Sequence, residues 1–509
     1  MQTYKVTSCV LVCCLILIGF SFLSGCIQKK PDASIVKTDS GYVSGINENG
    51  LRMYRGIPYA APPTGDLRWR PPAPVQSWNG TRDATVFSAM CPQPSTSNPT
   101  AGGMSEDCLY LNVWTPAKNA DDKLPVMVFI HGGAFAEGTG SDPLYNGTAL
   151  ARKGVVVVTL NYRMGALGFL THPQLDKESI TNSSGNYGLL DQQAALRWVQ
   201  KNIGAFGGDP SRVTIFGQSA GGSSILVHLV SPQSKGLYQQ AIVESGPLWT
   251  DGVILDIFSP KTEAERYGEE YAKSLGYTGP DAIAQMRRLS SVDLVNATPW
   301  PASTFWRIHT LGFKPGVDGW IIPDSPDTLF LLHRQNPVPL IIGNNANDGI
   351  TLTANANMSV LEYETFIRNG FGKFGDTVLL HYPANSTDEV QHQLSRIMTD
   401  YDFTDAAKFS AGSMADLNQS TYLYRFSYDL PGQPLGAFHS SELFMVFNPP
   451  SPFTDPTSTG VSENMMDLWT RFAKTGNPNG GMNVTWPKYT RDNGQYLNIG
   501  SVPSVKSGN

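Results

Sequence analysis

The stretch Val213-Thr214-Ile215-Phe216-Gly217-Gln218-Ser219-Ala220-Gly221-Gly222 is short, and its first four residues are apolar or β-branched. Such a run predicts a strand, and the residues from Ile225 to Val230 are compatible with a helix. The turn between them has the form Gly-x-Ser-x-Gly, in which glycine lets neighbouring backbone pass closely. The stretch therefore predicts a strand, a sharp turn and a helix, with Ser219 in strained backbone geometry at the edge of a sheet.

Other short apolar runs surround this stretch in the sequence, and most of them show no alternation of polar and apolar residues. They are Val126 to Ile130, Val155 to Leu160, Ala241 to Val243, Pro339 to Ile342 and Tyr422 to Phe426. Uninterrupted runs of this kind are typical of strands buried on both faces of a parallel sheet. A helix predicted over Gly188 to Ile203 separates two of them, which indicates a right-handed crossover. The pattern predicts an α/β fold with a mostly parallel central sheet covered by helices, and Asp251 to Val338 adds helical and loop insertions.

The composition excludes several classes of protein. The 509 residues include 50 Gly and 36 Pro, 41% are hydrophobic and 16% are charged, and the formal net charge is -6. These values exclude a disordered or collagen-like chain, and no apolar run is long enough for a multi-span membrane protein. The negative charge leaves no broad basic surface, so no nucleic-acid partner is expected.

The first residues have the pattern of an export signal. Lys5 precedes an apolar run from Val10 to Phe22, which is too short for a membrane-spanning helix, and Leu23-Ser24-Gly25-Cys26 resembles a bacterial lipobox. The resemblance implies a signal peptide over residues 1–25 and a lipid on Cys26. The polar residues after Cys26 predict a tether over residues 26–34, and the absence of a clear linker beyond it predicts one domain over residues 35–509. The chain is then an exported lipoprotein held at a membrane on its extracytoplasmic face. An ordinary secretory signal and an uncleaved anchor are the alternatives.

Cleavage before Cys26 would leave Cys91 and Cys108 as the two cysteines of the folded part. A pair of cysteines in an exported chain favours a disulfide, which at this loop length contributes about 3 kcal/mol to stability. Two buried free thiols are the alternative. No metal site is expected, because two sulfurs without a nearby third ligand do not complete a tetrahedral zinc site.

A second strand also ends in small residues. The run Val126 to Ile130 leads into His131-Gly132-Gly133-Ala134-Phe135. Acyl transfer forms a negatively charged oxygen, which backbone N–H groups commonly stabilise. In a hydrolase with a Gly-x-Ser-x-Gly turn, one donor is the residue after the serine, Ala220, and others come from an earlier loop such as this one. A loop that only turns the chain is the alternative, and a phosphate site is less favoured because no Gly-Lys-Ser/Thr follows.

A general base and an orienting acid would complete the site. His439 is the best candidate for the base, because it lies in a loop after the strand Tyr422 to Phe426, and catalytic groups gather at the carboxyl ends of such strands. Asp348 follows the strand Pro339 to Ile342 and would hold His439 in one tautomer. The candidates set aside are His228, His381 and His392, which fall in helices, and Asp318 and Asp324, which fall in turns. A surface-loop histidine and an Asp-Gly turn are the alternatives for His439 and Asp348.

With these residues in place, the chain resembles the type-B carboxylesterase family, which includes cholinesterases and bacterial para-nitrobenzyl esterases. The motifs that carry the resemblance span nearly the whole mature chain. They are Arg55 to Ala60, Ser105 to Val113, His131 to Gly133, Asn161 to Arg163, Gly207 to Pro210, the Ser219 turn and Ala437 to Glu442. The resemblance implies an α/β-hydrolase fold, catalytic Ser219 and His439, oxyanion donors Gly133, Ala134 and Ala220, and a disulfide between Cys91 and Cys108.

Two positions depart from the family's pattern. The family usually has glutamate at the acid position, where this chain has Asp348, so we expect the acid loop to lie slightly closer to His439. Cholinesterases carry a tryptophan between the two disulfide cysteines, where it holds the choline cation by cation–π attraction. The segment between Cys91 and Cys108 contains no aromatic residue. Choline esters are therefore not expected as dedicated substrates.

The sequence thus predicts a serine carboxylesterase that acts on small to medium acyl esters without any cofactor or metal. A lipase or an amidase with the same three catalytic residues is the first alternative, because the loops that shape the substrate pockets are not decided by sequence. A non-catalytic binding protein with the same fold is the second alternative. The retention of Ser219, Asp348 and His439 in this order makes the binding protein the less favoured interpretation.

Overall fold

The computed structural model describes residues 32–94, 102–250, 252–299, 303–309, 312–481 and 483–508. The expected signal peptide and Cys26 lie outside the described residues. The first strand begins at Asp32, ahead of the domain start expected at residue 35. In the described residues, no helix combines the length and the apolar character that are needed to cross a bilayer.

A large sheet runs through the described part of the chain. Its strands are β1 (Asp32–Lys37), β2 (Tyr42–Glu48), β3 (Leu51–Pro58), β4 (Thr81–Asp83), β5 (Tyr110–Thr115), β6 (Leu124–Ile130), β7 (Val156–Leu160), β8 (Gly208–Gln218), β9 (Gln240–Glu244), β12 (Leu340–Asn345), β13 (Thr421–Phe426), β14 (Gln495–Ile499) and β15 (Ser504–Ser507). Two short strands, β10 (Ser259–Pro260) and β11 (Gly316–Val317), form a separate parallel pair. The order is β1-β2-β3-β5-β7-β6-β8-β9-β12-β13-β14-β15, and β4 pairs with β2. Strands β7 through β14 in this order are parallel, which confirms the predicted α/β class.

The sequence did not predict the antiparallel margins of the sheet. Strands β1, β2, β3 and β5 pair antiparallel on one side, and β15 closes the other side against β14. Several of these strands are partly exposed and carry polar residues, as in the Tyr42–Glu48 strand. They therefore lack the continuous apolar runs that marked the buried central strands.

Helices cover both faces of the sheet. They are α1 (Thr148–Arg152), α2 (Gly165–Phe169), α3 (Pro173–Glu178), α4 (Tyr187–Asn202), α5 (Ala220–Val230), α6 (Lys261–Ser274), α7 (Ala282–Met286), α8 (Ser291–Asn296), α9 (Thr304–His309), α10 (Pro326–Leu331), α11 (Gly349–Leu352), α12 (Val360–Phe371), α13 (Gly375–His381), α14 (Thr387–Ile397), α15 (Ala406–Asp416), α16 (Leu443–Val446) and α17 (Pro456–Thr475), with a π-helix at Met398–Asp405. Helices α4 and α5 pack on one face, and α1 and α17 pack on the other. The helix predicted over Gly188 to Ile203 is α4, and α6 to α10 form the predicted insertion.

The two cysteines of the folded part form a disulfide. Cys91 and Cys108 are bonded, with their Cα atoms 5.0 Å apart, and both side chains are buried. This confirms the predicted pairing. The bond closes the segment that leads into β5, which pairs with β3 and β7 in the sheet.

Candidate active site

The turn around Ser219 is held by close backbone contacts. Ser219 has φ 57° and ψ -125°, a conformation that a residue with a side chain rarely adopts. A Cβ atom on Gly221 would lie 2.0 Å from the Ile130 carbonyl oxygen, and one on Gly217 would lie 2.6 Å from the Gly221 oxygen. The Ser219 amide donates a hydrogen bond to the Glu244 carbonyl at 2.9 Å. The glycines are therefore required by contact distance, and they place Ser219 between β8 and α5 as the sequence predicted.

The predicted oxyanion donors lie beside this turn. Gly132 contacts Ser219 so closely that a Cβ atom on the glycine would be 3.0 Å from the serine Cβ. Gly133, Ala134 and Ser219 are each partly exposed, whereas the strands that lead to them are buried. In the described part of the chain, the N–H groups of Gly133, Ala134 and Ala220 donate no hydrogen bond. These three donors are free to bind an oxygen of a ligand.

His131 holds the loop of Gly133 and Ala134 in place. Its ring stacks on Tyr162 with centroids 4.4 Å apart, its Nδ1 lies 2.8 Å from the Gly132 oxygen, and Tyr162 Oη donates to its carbonyl at 2.9 Å. Burial lowers the pKa of His131 to about 4, so the ring is neutral at pH 7 and donates from Nδ1 to Gly132. Ala134 has a positive φ of 54°, which this packing maintains. His131 is therefore part of the loop's support.

His439 and Asp348 lie together at the carboxyl ends of β12 and β13. His439 Nδ1 lies 2.7 Å from Asp348 Oδ1, and both side chains are buried. The other carboxylate oxygen accepts hydrogen bonds from Ser245 Oγ at 3.0 Å and from the Asn345 amide at 2.7 Å. Because Nδ1 donates to a carboxylate, Nε2 is the unprotonated nitrogen of the neutral ring. Aspartate, with its shorter side chain, therefore reaches the histidine directly.

The unprotonated nitrogen of His439 faces the serine turn. His439 Nε2 accepts a hydrogen bond at 3.3 Å from the side-chain nitrogen of Gln218, the residue before Ser219. Within the described residues, Ser219 Oγ makes no hydrogen bond. In enzymes without substrate, the bond between nucleophile and base is commonly long or absent, and it tightens when substrate binds. The arrangement places an acceptor nitrogen next to the serine turn.

The acid loop and the base loop are joined to each other. Asn345 Nδ2 donates to the Phe438 carbonyl at 2.7 Å and also to Glu442 Oε2. The Asn347 amide donates to the Ala437 carbonyl at 2.9 Å. These bonds connect the residues before Asp348 with the residues on either side of His439.

The π-helix Met398–Asp405 packs against the acid loop and against His439. Thr399 Oγ1 accepts a hydrogen bond from the Gly349 amide at 2.9 Å, and Thr404 Oγ1 accepts one from Asn344 Nδ2 at 3.1 Å. The ring of Phe403 lies 5.2 Å from the ring of His439, centroid to centroid. Single π-helical turns occur often at functional sites, and this one contacts both the acid loop and the base.

The residues that the sequence set aside lie elsewhere. His228 is buried between Gln192 and Ser234, and His381 and His392 lie in exposed positions on α13 and α14. Asp318 accepts three backbone N–H bonds in a turn, and Asp324 caps Ser325. None of these side chains contacts Asp348 or His439.

Sequence reasoning missed three residues that contact the acid or the base, namely Gln218, Ser245 and Asn345. It also missed Glu442, which contacts Asn345. Ser245 and Asn345 could have been found, because each stands at the carboxyl end of a predicted strand, where catalytic groups gather. Glu442 is three residues beyond His439, and only the fold shows that its carboxyl turns toward Asn345. Among the described residues, no group of three or more histidine, cysteine or acidic side chains could hold a metal ion.

Comparison with known proteins places the chain in a family. The model of the carboxylesterase family matches residues 32–509. Fumonisin B1 esterase of Sphingopyxis macrogoltabida is 38% identical, with 92% of this chain and 87% of that protein covered. Para-nitrobenzyl esterase of Bacillus subtilis (strain 168) is 36% identical, with 93% and 96% covered. Cholinesterase of Mus musculus is 33% identical, with 92% and 84% covered.

Solved structures agree with this assignment. The structure of a PNB esterase superposes with a TM-score of 0.82 at 35% sequence identity and covers 93% of this chain and 97% of its own. The chain belongs to the carboxylesterase family and is a carboxylic ester hydrolase with the α/β-hydrolase fold.

Proposed function

We propose that the protein is an exported, lipid-anchored serine carboxylesterase that hydrolyses small to medium acyl esters through an acyl-enzyme on Ser219. The hydrogen bond of 2.7 Å between His439 Nδ1 and Asp348 carries the proposal, because it leaves Nε2 as an acceptor beside the serine turn. A histidine held in this tautomer can take the proton of the serine hydroxyl.

The reaction would proceed in two steps. Ser219 Oγ attacks the ester carbonyl while His439 Nε2 takes the hydroxyl proton, and the imidazolium then gives that proton to the departing alcohol. Water, activated by the same nitrogen, attacks the acyl-enzyme, and the proton returns to Ser219 as the carboxylic acid leaves. Asp348 keeps the ring oriented and stabilises its positive charge in both steps. No cofactor takes part.

The tetrahedral intermediate carries a negative oxygen at each step. The N–H groups of Gly133, Ala134 and Ala220 would donate hydrogen bonds to it, since none of them has a partner in the described part of the chain. Losing one such donor typically costs about 3 kcal/mol of transition-state stabilisation. The packing that maintains the positive φ of Ala134 also keeps its N–H in place before substrate binds.

Ester substrates are favoured over other acyl compounds by the relatives, which include esterases named for fumonisin B1, para-nitrobenzyl esters and cocaine. A bile salt-activated lipase is also similar, at 34% identity. Choline esters are expected to be poor substrates, because the segment from Cys91 to Cys108 has no aromatic side chain to hold the cation.

The test compares the full-length chain, purified in detergent, with its Ser219→Ala variant. The substrates are p-nitrophenyl esters with acyl chains of about two to eight carbons, so that the number of methylene groups in the acyl pocket varies. Ser211→Ala, an exposed serine at the other end of β8, is the matched control. We expect hydrolysis by the parent and by Ser211→Ala, and loss of about 10⁵-fold or more in kcat for Ser219→Ala. A folded parent without Ser219-dependent turnover on any ester would reject the proposal and favour the binding-protein interpretation.

The anchor has its own test. Cys26→Ser removes the thiol that would carry the lipid and leaves the folded domain unchanged. We expect the parent chain in the membrane fraction of a bacterial host and the variant in the soluble fraction, with a diacylglycerol adduct on Cys26 in the mass spectrum of the parent alone. Equal distribution of the two proteins would contradict the lipid anchor.

A further inference from the structure

A row of three residues crosses adjacent strands below the acid loop. Glu244 of β9 pairs with Gly343 of β12, which pairs with Tyr424 of β13. A Cβ atom on Gly343 would lie 2.2 Å from the Tyr424 carbonyl oxygen and 2.4 Å from its ring, so the ring of Tyr424 covers the glycine. Glu244 Oε1 accepts a hydrogen bond from Trp469 Nε1 at 2.6 Å on the face that α17 covers. Two polar side chains therefore lie on this buried face beneath the site.

Asn345 connects this face to the site. It lies two residues after Gly343 on β12, its amide donates to Asp348 at 2.7 Å, and its side-chain nitrogen donates both to the Phe438 carbonyl at 2.7 Å and to Glu442. Phe438 precedes His439, so one residue contacts the acid and the backbone of the base. Glu442 accepts the bond that fixes the direction of the Asn345 side chain.

The carboxyl of Glu442 has no cation near it. Its side chain is completely buried, it forms no ion pair in the described part of the chain, and its second oxygen has no hydrogen-bond partner there. The titratable groups that face it are Asp348, Glu244, Tyr145 and Tyr424. Burial first, and then the neighbouring carboxyl groups of Asp348 and Glu244, hold the pKa of Glu442 well above its usual range.

We propose that Glu442 is a positioning residue for catalysis: as a neutral carboxylic acid it holds the Asn345 side chain, which keeps Asp348 and His439 at bonding distance. The neutral form suits this position, since a charge on Glu442 would lie beside the carboxylate of Asp348 without a counter-ion. Glu442 does not contact the reacting atoms. This inference rests on the proposed catalytic roles of Ser219, Asp348 and His439.

Two variants of the full-length chain separate hydrogen bonding from charge. Glu442→Gln keeps an oxygen that can accept from Asn345, and Glu442→Leu keeps the volume without an acceptor. Glu263→Leu, an exposed position on α6, controls for the general effect of the substitution. The measurements are kcat and KM on the best p-nitrophenyl ester, and kcat/KM against pH.

We expect Glu442→Leu to lose about 10- to 100-fold in kcat with KM within about twofold, because a small displacement of the base affects the transition state more than binding. The acid limb of its kcat/KM profile moves to lower pH, because a loosened Asp348 stabilises the imidazolium less. We expect the kcat of Glu442→Gln to stay within about threefold of the parent, because the glutamine oxygen can still accept the hydrogen bond from Asn345. Loss in Glu442→Gln equal to that in Glu442→Leu, or an unchanged pH profile in Glu442→Leu, overturns the proposal.

Thermal unfolding supplies a test that does not depend on turnover. If Glu442 is neutral in the folded protein and ionised in the unfolded chain, its ionisation lowers the stability of the parent as pH rises. Glu442→Gln has no ionisable group at this position, so its stability lacks this pH-dependent loss. The unfolding midpoint of Glu442→Gln then gains on the parent as pH rises above 4.5, the ordinary pKa of the glutamate side chain. A constant difference between the two over this range overturns the neutral state, and with it the proposal. If the parent hydrolyses no ester, the proposed esterase activity is rejected. The unfolding comparison of the parent with Glu442→Gln still tests the neutral state of Glu442.

Discussion

The two halves of the site are built in different ways. The serine turn is continuous in sequence: β8, Ser219 and α5 follow one another, and the contacts of Gly217 and Gly221 hold the strained backbone. The acid and base half joins Asp348 after β12, His439 after β13 and Ser245 after β9, which meet only because these strands are neighbours in the sheet. Local sequence therefore determines one half, whereas long-range pairing and buried hydrogen bonds determine the other.

This difference indicates where each half is vulnerable. The serine turn depends on space, so added volume should damage it. The acid and base half depends on directed hydrogen bonds among buried polar groups, so removal of a single donor or acceptor should damage it.

The largest effect is expected for Asp348→Asn. The new amide can present its NH₂ group to His439 Nδ1, which forces the proton onto Nε2 and removes the acceptor that Ser219 needs. We expect kcat to fall by about 10³- to 10⁴-fold with little change in the unfolding midpoint. Stopped-assay kinetics and thermal unfolding measure both, with Asp324→Asn in an exposed turn as the matched control. If kcat stays within tenfold of the parent, which corresponds to about 1.4 kcal/mol of transition-state free energy, the orienting acid is another residue.

Gly221→Ala should distort the serine turn because the added methyl group has no space there. The new Cβ atom would lie 2.0 Å from the Ile130 carbonyl oxygen, so β6 and the turn must separate. We expect a loss of about 3 kcal/mol in the free energy of unfolding and about 100-fold in kcat. Denaturant unfolding and ester hydrolysis report the two effects. Gly204→Ala, where nothing lies near the added atom, should remain close to the parent. A stable and active Gly221→Ala protein would show that the turn tolerates movement.

Glu244→Gln should change the pH dependence of stability. Burial raises the pKa of Glu244 from 4.5 to about 8, although the bond from Trp469 opposes the rise. Between these values the folded protein keeps a proton that the unfolded chain releases, so stability falls as pH rises, by about 1.4 kcal/mol per pH unit. The glutamine removes this contribution and keeps an acceptor for Trp469. Denaturant unfolding from pH 5 to pH 8, a window of about 3 units, should show a shallower slope for the variant than for the exposed control Glu263→Gln. Parallel slopes would contradict a buried neutral acid.

Ser245→Ala is expected to have the smallest effect. Asp348 would keep the Asn345 amide and the His439 bond but lose the hydroxyl donor at 3.0 Å. The loss of one hydrogen bond to a charged group predicts a decrease of about 5- to 10-fold in kcat. Ser223→Ala, which removes a buried hydroxyl that donates to the Pro247 carbonyl at 2.7 Å, should lower stability and leave kcat nearly unchanged. The same loss of kcat in both variants would assign Ser245 to packing alone.

The amino-acid sequence by itself determined the central strands, the helix before β8, the serine turn, the disulfide pair and the positions of Asp348 and His439 after strands. These features depend on short-range patterns: apolar runs for strands buried on both faces, and glycine where backbones approach closely. The order of strands and the antiparallel margins did not follow from those patterns, because most marginal strands are partly exposed and even the fully buried β5 is interrupted by the polar Asn112.

Only the tertiary structure decided how the polar residues around Asp348 are arranged. Ser245, Asn345 and Glu442 are far apart in sequence, and Glu442 has no local feature that distinguishes it from a surface glutamate. Its burial and its bond to Asn345 arise because β9, β12 and β13 are adjacent and α17 covers their face. The physical reason is general: apolar burial is visible in local patterns, whereas the partner of a buried polar group is chosen by the contacts that long-range folding creates.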